Sequence, residues 1–258
     1  MTSLDGRRVL VTATRDTASG LVDALHAAGA DVVVVPMIAT VPVASPVEVR
    51  TAVAQLEAES GQRWILFTSA VAARLVAGAL GAPPNPSVRV GSVGAATSRG
   101  LRDAGWTVDA EPAEHDGAAA LAAELERSDI AGSTVLLPQS EAAHDTLAGR
   151  LQDSGAAVRR LVLYRVEMPA GAPGRLAAAM AQPLHGVTVA SGSAARNLVT
   201  ALGGRRLGSG TLLVCSGEQT AADARAAGLA VQAVAASADP QAMVEALAAL
   251  MPPPQPVP

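Results

Sequence analysis

Gly94-Ala95-Ala96-Thr97, followed by Gly105, returns as Gly217-Glu218-Gln219-Thr220, followed by Gly228, with every member displaced by 123 positions. Each copy follows an apolar, strand-like run and opens an alanine-rich helical stretch. Upstream, Thr68-Ser69 with Ala73 and Arg74 is echoed by Ala190-Ser191 with Ala195 and Arg196, displaced by 122. Two echoes in one order and at nearly one spacing predict two related α/β lobes. In each lobe, strands end in small hydroxyl residues at helix N-termini, where unpaired backbone N–H groups attract anions. Paired anion-ready edges predict a ligand held between lobes.

Working outward, Val9-Leu10-Val11 reads as a buried parallel strand, followed by a helix over 17–28 ending at Gly29 and a second strand over Val32–Val35. That is one βαβ unit. Pro36, Pro42 and Pro46 bracket an extended segment, and prolines place such a segment at an edge or between domains. From about Ser45 a new series alternates helices with strands at Trp64–Phe67, Val88–Val90, Thr107–Asp109 and Thr134–Leu137, which argues for a parallel sheet covered on both faces. A long extended run over 158–167 follows. After Pro173 three more strands occur, at Val187–Val189, Leu212–Val214 and Val231–Val234. Adding the first two strands of the chain to these three gives five, equal to the middle lobe when the run over 158–167 is counted with its four. The expected organisation is a discontinuous first lobe (1–36 plus 170–251), a second lobe (44–157), an interdomain linker (37–43 and 158–169) and a disordered, proline-rich tail (252–258).

Half of the 258 residues are hydrophobic, yet only Trp64, Phe67, Trp106 and Tyr164 are aromatic. The core must therefore be built from Ala, Val and Leu, and base stacking on aromatic platforms is excluded. A formal net charge of −4 gives no general attraction to nucleic acid or anionic lipid. All nineteen basic side chains are arginine. Without lysine there is no Schiff-base chemistry, no Walker A lysine and no kinase strand lysine. The single cysteine, Cys215, excludes an internal disulfide and multi-cysteine metal sites, and its place at the end of Leu-Leu-Val reads as a buried small hydrophobe. Met1-Thr2-Ser3-Leu4-Asp5 lacks a signal-peptide hydrophobic region, and no apolar run reaches the ~20 residues that span a bilayer. A cytoplasmic protein is expected.

In open parallel sheets ligands bind beyond the carboxyl ends of the strands. The residues expected there are Thr12, Thr14 and Arg15; Thr68 and Ser69; Ser92 to Thr97, with Gly94; Gln139 and Ser140; Ser191 and Ser193; and Ser216 to Thr220, with Gly217. Any one of these hydroxyls also serves as an ordinary helix cap; their recurrence across two lobes is what points to a ligand. The Gly-x-x-Thr turns lack the third glycine and downstream acid of a dinucleotide fingerprint, and no Gly-x-Ser-x-Gly elbow surrounds Ser191. His26, His115, His144 and His185 have no metal-ligand spacing and read as surface imidazoles, and Glu111 and Glu114 as a solvated loop. Tyr164, the only tyrosine, lies in the expected linker. Its phenol either faces the cleft or packs between lobes.

Val9-Leu10-Val11-Thr12 with Arg15, Phe67-Thr68-Ser69-Ala70, Ser92-Val93-Gly94-Ala95-Ala96-Thr97, Leu136-Leu137-Pro138, Gly155-Ala156 leading to Val162-Leu163-Tyr164-Arg165, and Ser216-Gly217-Glu218-Gln219-Thr220 together resemble the uroporphyrinogen-III synthase family. The resemblance spans nearly the whole chain in the family's order. It implies two flavodoxin-like lobes with parallel sheets joined by a two-stranded ladder. The implied activity closes hydroxymethylbilane to uroporphyrinogen III, with inversion of ring D and loss of water, and needs no cofactor or metal. Tyr164 matches the family's tyrosine, Thr97 and Thr220 its paired threonines, and Thr68 and Ser69 its Phe-Thr-Ser turn. Three positions depart from the pattern: Ala13-Thr14 separate Thr12 from Arg15, Gln139 stands where arginine is frequent, and Val189-Ala190-Ser191 lacks one hydroxyl. The expected partners are the bilane and, by transient hand-over, hydroxymethylbilane synthase, with the chain acting as a monomer apart from nucleic acid and membrane. A non-catalytic two-lobe binder of a tetrapyrrole or another polyanion is the alternative use of the same scaffold.

Overall fold

The computed structural model describes residues 4–112, 117–143, 145–237 and 239–251, apart from the side chains of Arg15, Asp16 and Thr17. The expected disordered tail over 252–258, together with Glu114, His115 and His144, lies outside the described residues. The chain divides into two units, crossing at Ala39/Thr40 and back at Val166/Glu167.

The first unit begins β1(Arg8–Val11), α1(Arg15–Ala27), β2(Asp31–Val34). The second unit is built from β3(Ala39–Pro42), α2(Pro46–Glu57), β4(Arg63–Phe67), α3(Ala70–Leu80), β5(Val88–Ser92), α4(Ala95–Asp103), α5(Ala118–Arg127), β6(Thr134–Ser140), α6(Thr146–Asp153) and β7(Ala157–Glu167). The first is completed by α7(Ala172–Ala179), β8(Gly186–Val189), α8(Gly192–Leu202), β9(Leu212–Cys215), α9(Glu218–Ala226), β10(Ala233–Val234) and α10(Pro240–Ala248). Its sheet runs β10-β9-β8-β1-β2, with all four pairings parallel. Numbered along this unit alone, that order is the flavodoxin-like 2-1-3-4-5 read from the other edge. The second sheet runs β3-β7-β6-β4-β5, with β5, β4, β6 and β7 parallel.

Each sheet is apolar on both faces because helices cover both. Along β4, Ile65 and Phe67 enter one cluster while Trp64 and Leu66 enter the other, as the two-residue period of a strand requires. Along β1, Leu10 faces one cluster and Val9 and Val11 the other. Side-chain caps open α2, α3, α8 and α10, at Ser45, Ser69, Ser191 and Asp239. Ser45 and Glu48 form a reciprocal capping box at α2, and hydrogen bonds from the Ser45 backbone and then its side chain hold the Glu48 carboxyl below its ordinary range.

One expected strand is corrected. Thr107–Asp109 forms no strand; a single parallel bridge joins Ala110 to Gly91. The reason lies in Asp109, whose carboxylate accepts the Val90 N–H at 2.8 Å and so takes a bond that a strand neighbour's carbonyl would otherwise make. The fifth strand of the second sheet is instead β3, from the segment expected as linker. It neighbours β7, and the chain just beyond it donates through Val43 N–H to the Leu163 carbonyl at 2.8 Å.

The echo in the sequence extends into hydrogen bonds. Gln232, displaced 123 from Asp109, accepts the Leu213 N–H through its side-chain oxygen at 2.7 Å, and Leu213 is displaced 123 from Val90. Trp106 N–H donates to the Leu101 carbonyl, and Leu229 N–H to that of Ala224, again 123 apart. Thus β4, β5 and the Ala110 bridge correspond to β8, β9 and β10.

Candidate functional site

Phe67 ends β4 inside the core, and the chain leaves the sheet through Thr68 and Ser69 into α3. Ser69 is held extended at φ −157°, so that its hydroxyl accepts the Ala72 N–H at 3.1 Å and caps the helix. The same hydroxyl lies 3.1 Å from the Tyr164 phenol, carried on β7 and 7 % exposed. When Ser69 donates to the phenol oxygen, the phenolic O–H is left to donate elsewhere.

What it faces is a cavity of about 360 Å³ at the carboxyl edge of the second sheet. Its polar lining comprises Thr68, Ser69, Gln139, Ser140, Thr146 and Tyr164. Among the described residues none that lines it is basic. The cavity meets three helix starts: Ser69 at α3, Ala118 at α5 and Thr146 at α6. Each start presents unpaired N–H groups and the positive end of the helix dipole, so their convergence favours a carboxylate without a cationic side chain.

The two Gly-x-x-Thr turns are alike in backbone and unlike in side chains. Gly94 and Gly217 both precede their helices in extended conformation, φ 161° and 178°, with no side-chain cap. In the second unit the hydroxyls point inward: Ser92 and Ser98 are fully buried and 2.5 Å apart, and Thr97 is 5 % exposed. In the first unit the positions matching Ser92 and Ser98 are Cys215 and Ala221, both buried. There the hydroxyl pair is Ser216 and Thr220, 3.4 Å apart and partly exposed.

The remaining expected residues divide. Thr12 is buried at 0 % exposure, and its hydroxyl donates to the Thr188 carbonyl at 2.8 Å. Arg15 begins α1, and its side chain lies outside the described residues. Ser191 caps α8 by accepting the Ala194 N–H at 3.2 Å, and Ser193 accepts from Arg196 at 3.2 Å. The structure therefore brings Thr68, Ser69 and Tyr164 together at one cavity, groups Gly217 with Thr220 at a separate turn of the first unit, and ties Thr12 into the sheet.

Thr146 and the amides at Ala118 were not singled out in the sequence. An Asp-Thr pair opening a helix after a strand was the available signal. Cys215 is the buried hydrophobe expected; burial, with Glu218 adding to it and Arg225 opposing it, pushes the thiol up to about 11. His185 is not a free surface imidazole, because its Nδ1 accepts the Arg8 N–H at 2.9 Å. At Glu111 burial acts to raise the carboxyl, but hydrogen bonds from Ser98 and Arg102 outweigh it and hold the group below its ordinary range. Among the described residues no cluster of His, Cys, Asp and Glu could hold a metal, and no helix is long and apolar enough to cross a membrane.

Residues 19–245 match the sequence model of the family described as uroporphyrinogen-III synthase HemD. Among solved structures, a mutant uroporphyrinogen III synthase of the extremely thermophilic bacterium Thermus thermophilus is 20% identical, with a TM-score of 0.62 over 93% of this chain and 96% of that one. The uroporphyrinogen-III synthetase of Helicobacter pylori is 14% identical, with a TM-score of 0.62 over 95% of this chain and all (100%) of that one. These structures share the fold, and the match over most of the sequence places the chain in the uroporphyrinogen-III synthase family, the cyclising lyases of haem biosynthesis.

Proposed function

We propose that the second unit's cavity receives a carboxylate arm of hydroxymethylbilane and that the Tyr164 phenol assists the cyclisation as a proton donor. The observation that carries this reading is the pairing of Tyr164 with Ser69 at a cavity where three helices begin and no described lining residue is basic. The substrate has eight carboxylates. N-terminal amides and hydroxyls hold such groups by charge-assisted hydrogen bonds without a basic patch.

With one arm anchored, Tyr164 donates its proton to the hydroxyl on ring A as the carbon–oxygen bond breaks. Water departs, and a protonated azafulvene remains beside the Tyr164 phenolate. Ring D attacks it through its already substituted carbon, giving a spiro intermediate that rearranges and loses a proton, which restores the phenol, to leave uroporphyrinogen III. Simple end-to-end closure gives isomer I, so the protein's contribution is mainly to hold the bilane in the folded arrangement. The outward hydroxyls of Ser216 and Thr220, with Gly217, and those of Ser191 and Ser193 hold further carboxylates at the first unit's edge. Thr12, Arg15, Gly94 and Thr97 shape the backbone of these edges. The enzyme acts as a cytoplasmic monomer without a cofactor and takes the short-lived bilane by transient hand-over from hydroxymethylbilane synthase.

Incubation with freshly made hydroxymethylbilane, followed by chromatographic separation of the isomers, tests the proposal. Isomer III is expected in excess after dialysis against chelator and with no nucleotide or flavin added. Only isomer I, at the uncatalysed rate, would contradict it.

A further inference from the structure

At the opposite edge of the first sheet, where β9 and β10 begin, lies a cavity of about 570 Å³. It is bounded by the end of α8, the loop over 203–211 and the segment Gly228–Gln232. Its size falls within the range of small-molecule sites. Leu202, Leu207 and Leu229 give it an apolar wall, while Arg205, Arg206 and Gln232 supply donors.

The internal repeat shows what is unusual about this place. Trp106 matches Leu229 and makes an edge-on contact with Phe67, ring centroids 5.8 Å apart. Asp109 matches Gln232, so an acid is replaced by an amide whose oxygen keeps the same bond to the strand. Gln232 oxygen is thereby occupied, and its N–H groups remain to donate. The second unit's loop here is Pro-Pro-Asn-Pro (83–86), whereas the first unit's carries Arg205 and Arg206. Arg205 donates to the Leu202 and Ala201 carbonyls, which fixes it against the end of α8. Arg206 has no hydrogen bond or ion pair to a described residue, and no described lining residue is acidic. The matching place in the second unit holds a cavity of about 490 Å³ lined by Trp106; the first unit's cavity has leucine for that ring, an amide for the Asp109 carboxylate and two guanidinium groups.

We infer that this cavity is a second binding site, separate from the reaction, for a small organic anion: a carboxylate-type group met by Arg206 and the Gln232 amide, with an apolar body against Leu202, Leu207 and Leu229. The charge complements an anion, and the leucine wall selects one with an apolar body over a bare inorganic ion.

The test uses the full chain and 8-anilinonaphthalene-1-sulfonate, an apolar body with one anionic group, read by fluorescence. Saturable one-to-one binding is expected. Arg206→Ala, in an exposed loop, should weaken it about three- to tenfold. Gln232→Glu keeps the bond to Leu213 N–H, as Asp109 does for Val90, and should weaken binding at least as much through the added negative charge. Leu229→Trp should abolish it, with unfolding midpoints checking that each variant is folded. Isomer III formation should be unchanged in Arg206→Ala. Non-saturable binding by the parent chain, or affinity equal to the parent's in Arg206→Ala and Gln232→Glu, would overturn the inference.

Discussion

The Gly-x-x-Thr turns that announce the repeat are near copies in backbone and opposites in chemistry. In the second unit the hydroxyls occupy the inner positions, where Ser92 and Ser98 bond each other out of water. In the first unit Cys215 and Ala221 take those places, and the hydroxyls stand one residue later at Ser216 and one residue earlier at Thr220, partly exposed. An inward pair closes a turn; an outward pair is available to a ligand. In the second unit the hydroxyls that line a cavity lie instead at the neighbouring β4–α3 turn, where Ser69 meets Tyr164. Related lobes have thus divided one edge chemistry between different turns.

The largest expected effect separates Tyr164 from everything else. Tyr164→Phe keeps the ring's packing and removes the proton donor, so isomer III formation should fall ~10²–10⁴-fold, the usual range for general acid assistance. A wild-type rate in the folded variant would remove the phenol from the chemistry.

Next is Thr146→Asp, which places a carboxylate inside the cavity at a helix start. The helix should tolerate or favour it, since acids are stabilising in a first turn. The substrate arm should be repelled and lose a charged hydrogen bond of about 1.5–3 kcal/mol, or roughly 10- to 100-fold in kcat/KM. An unchanged kcat/KM would place the carboxylate elsewhere.

The inward and outward turns are distinguished by a pair of variants. Ser98→Ala leaves the buried Ser92 hydroxyl with little but a long 3.4 Å contact to the Gly94 carbonyl, and should cost about 1–3 kcal/mol of stability without slowing the reaction. Thr220→Val should do the reverse, slowing isomer III formation up to about tenfold while unfolding midpoints stay within error of the parent. If both variants lose only stability, the contrast between the turns has no functional content.

The smallest effect concerns Cys215. Its folded value, raised from 9.0 to about 11, means that the fold favours the protonated thiol. That contribution to stability is complete below about pH 9 and is lost as pH rises towards 11. At pH 8 the folded chain should resist iodoacetamide and the unfolded chain should react; rapid labelling of the folded chain would show that the thiol is not enclosed.

Much of this architecture was legible in the sequence because it is written in turn chemistry. Runs such as Ile65-Leu66-Phe67 that break into Thr-Ser before alanine-rich stretches mark strand ends and helix starts by local physics alone. The strand expected at Thr107–Asp109 failed because a side chain, Asp109, made the bond that strand periodicity assigns to backbone. Thr12 looked like a ligand contact from its place after a strand. Its neighbour β8 continues alongside it, so its hydroxyl is spent on the Thr188 carbonyl. The direction of the hydroxyls in the repeated turns was hidden by a shift of one residue, which no periodicity reveals. Asp145-Thr146 marks a helix start, but its meeting with Ala118 and Ser69 at one cavity could not be read, since a convergence of helix starts is a property of packing rather than of spacing.

The central claim is that helix starts in the second unit, not basic side chains, hold the substrate's carboxylates. It is tested most directly by amide chemical shifts of the full ¹⁵N-labelled chain titrated with the porphyrin obtained by oxidising the product, which keeps all eight carboxylates. Saturable shifts are expected at the N–H groups of Ala70 to Ala72, Ala118 to Ala120 and Thr146 to Leu147, and they should vanish in Thr146→Asp at the α6 start. Saturable binding that leaves those amides unmoved would contradict the account.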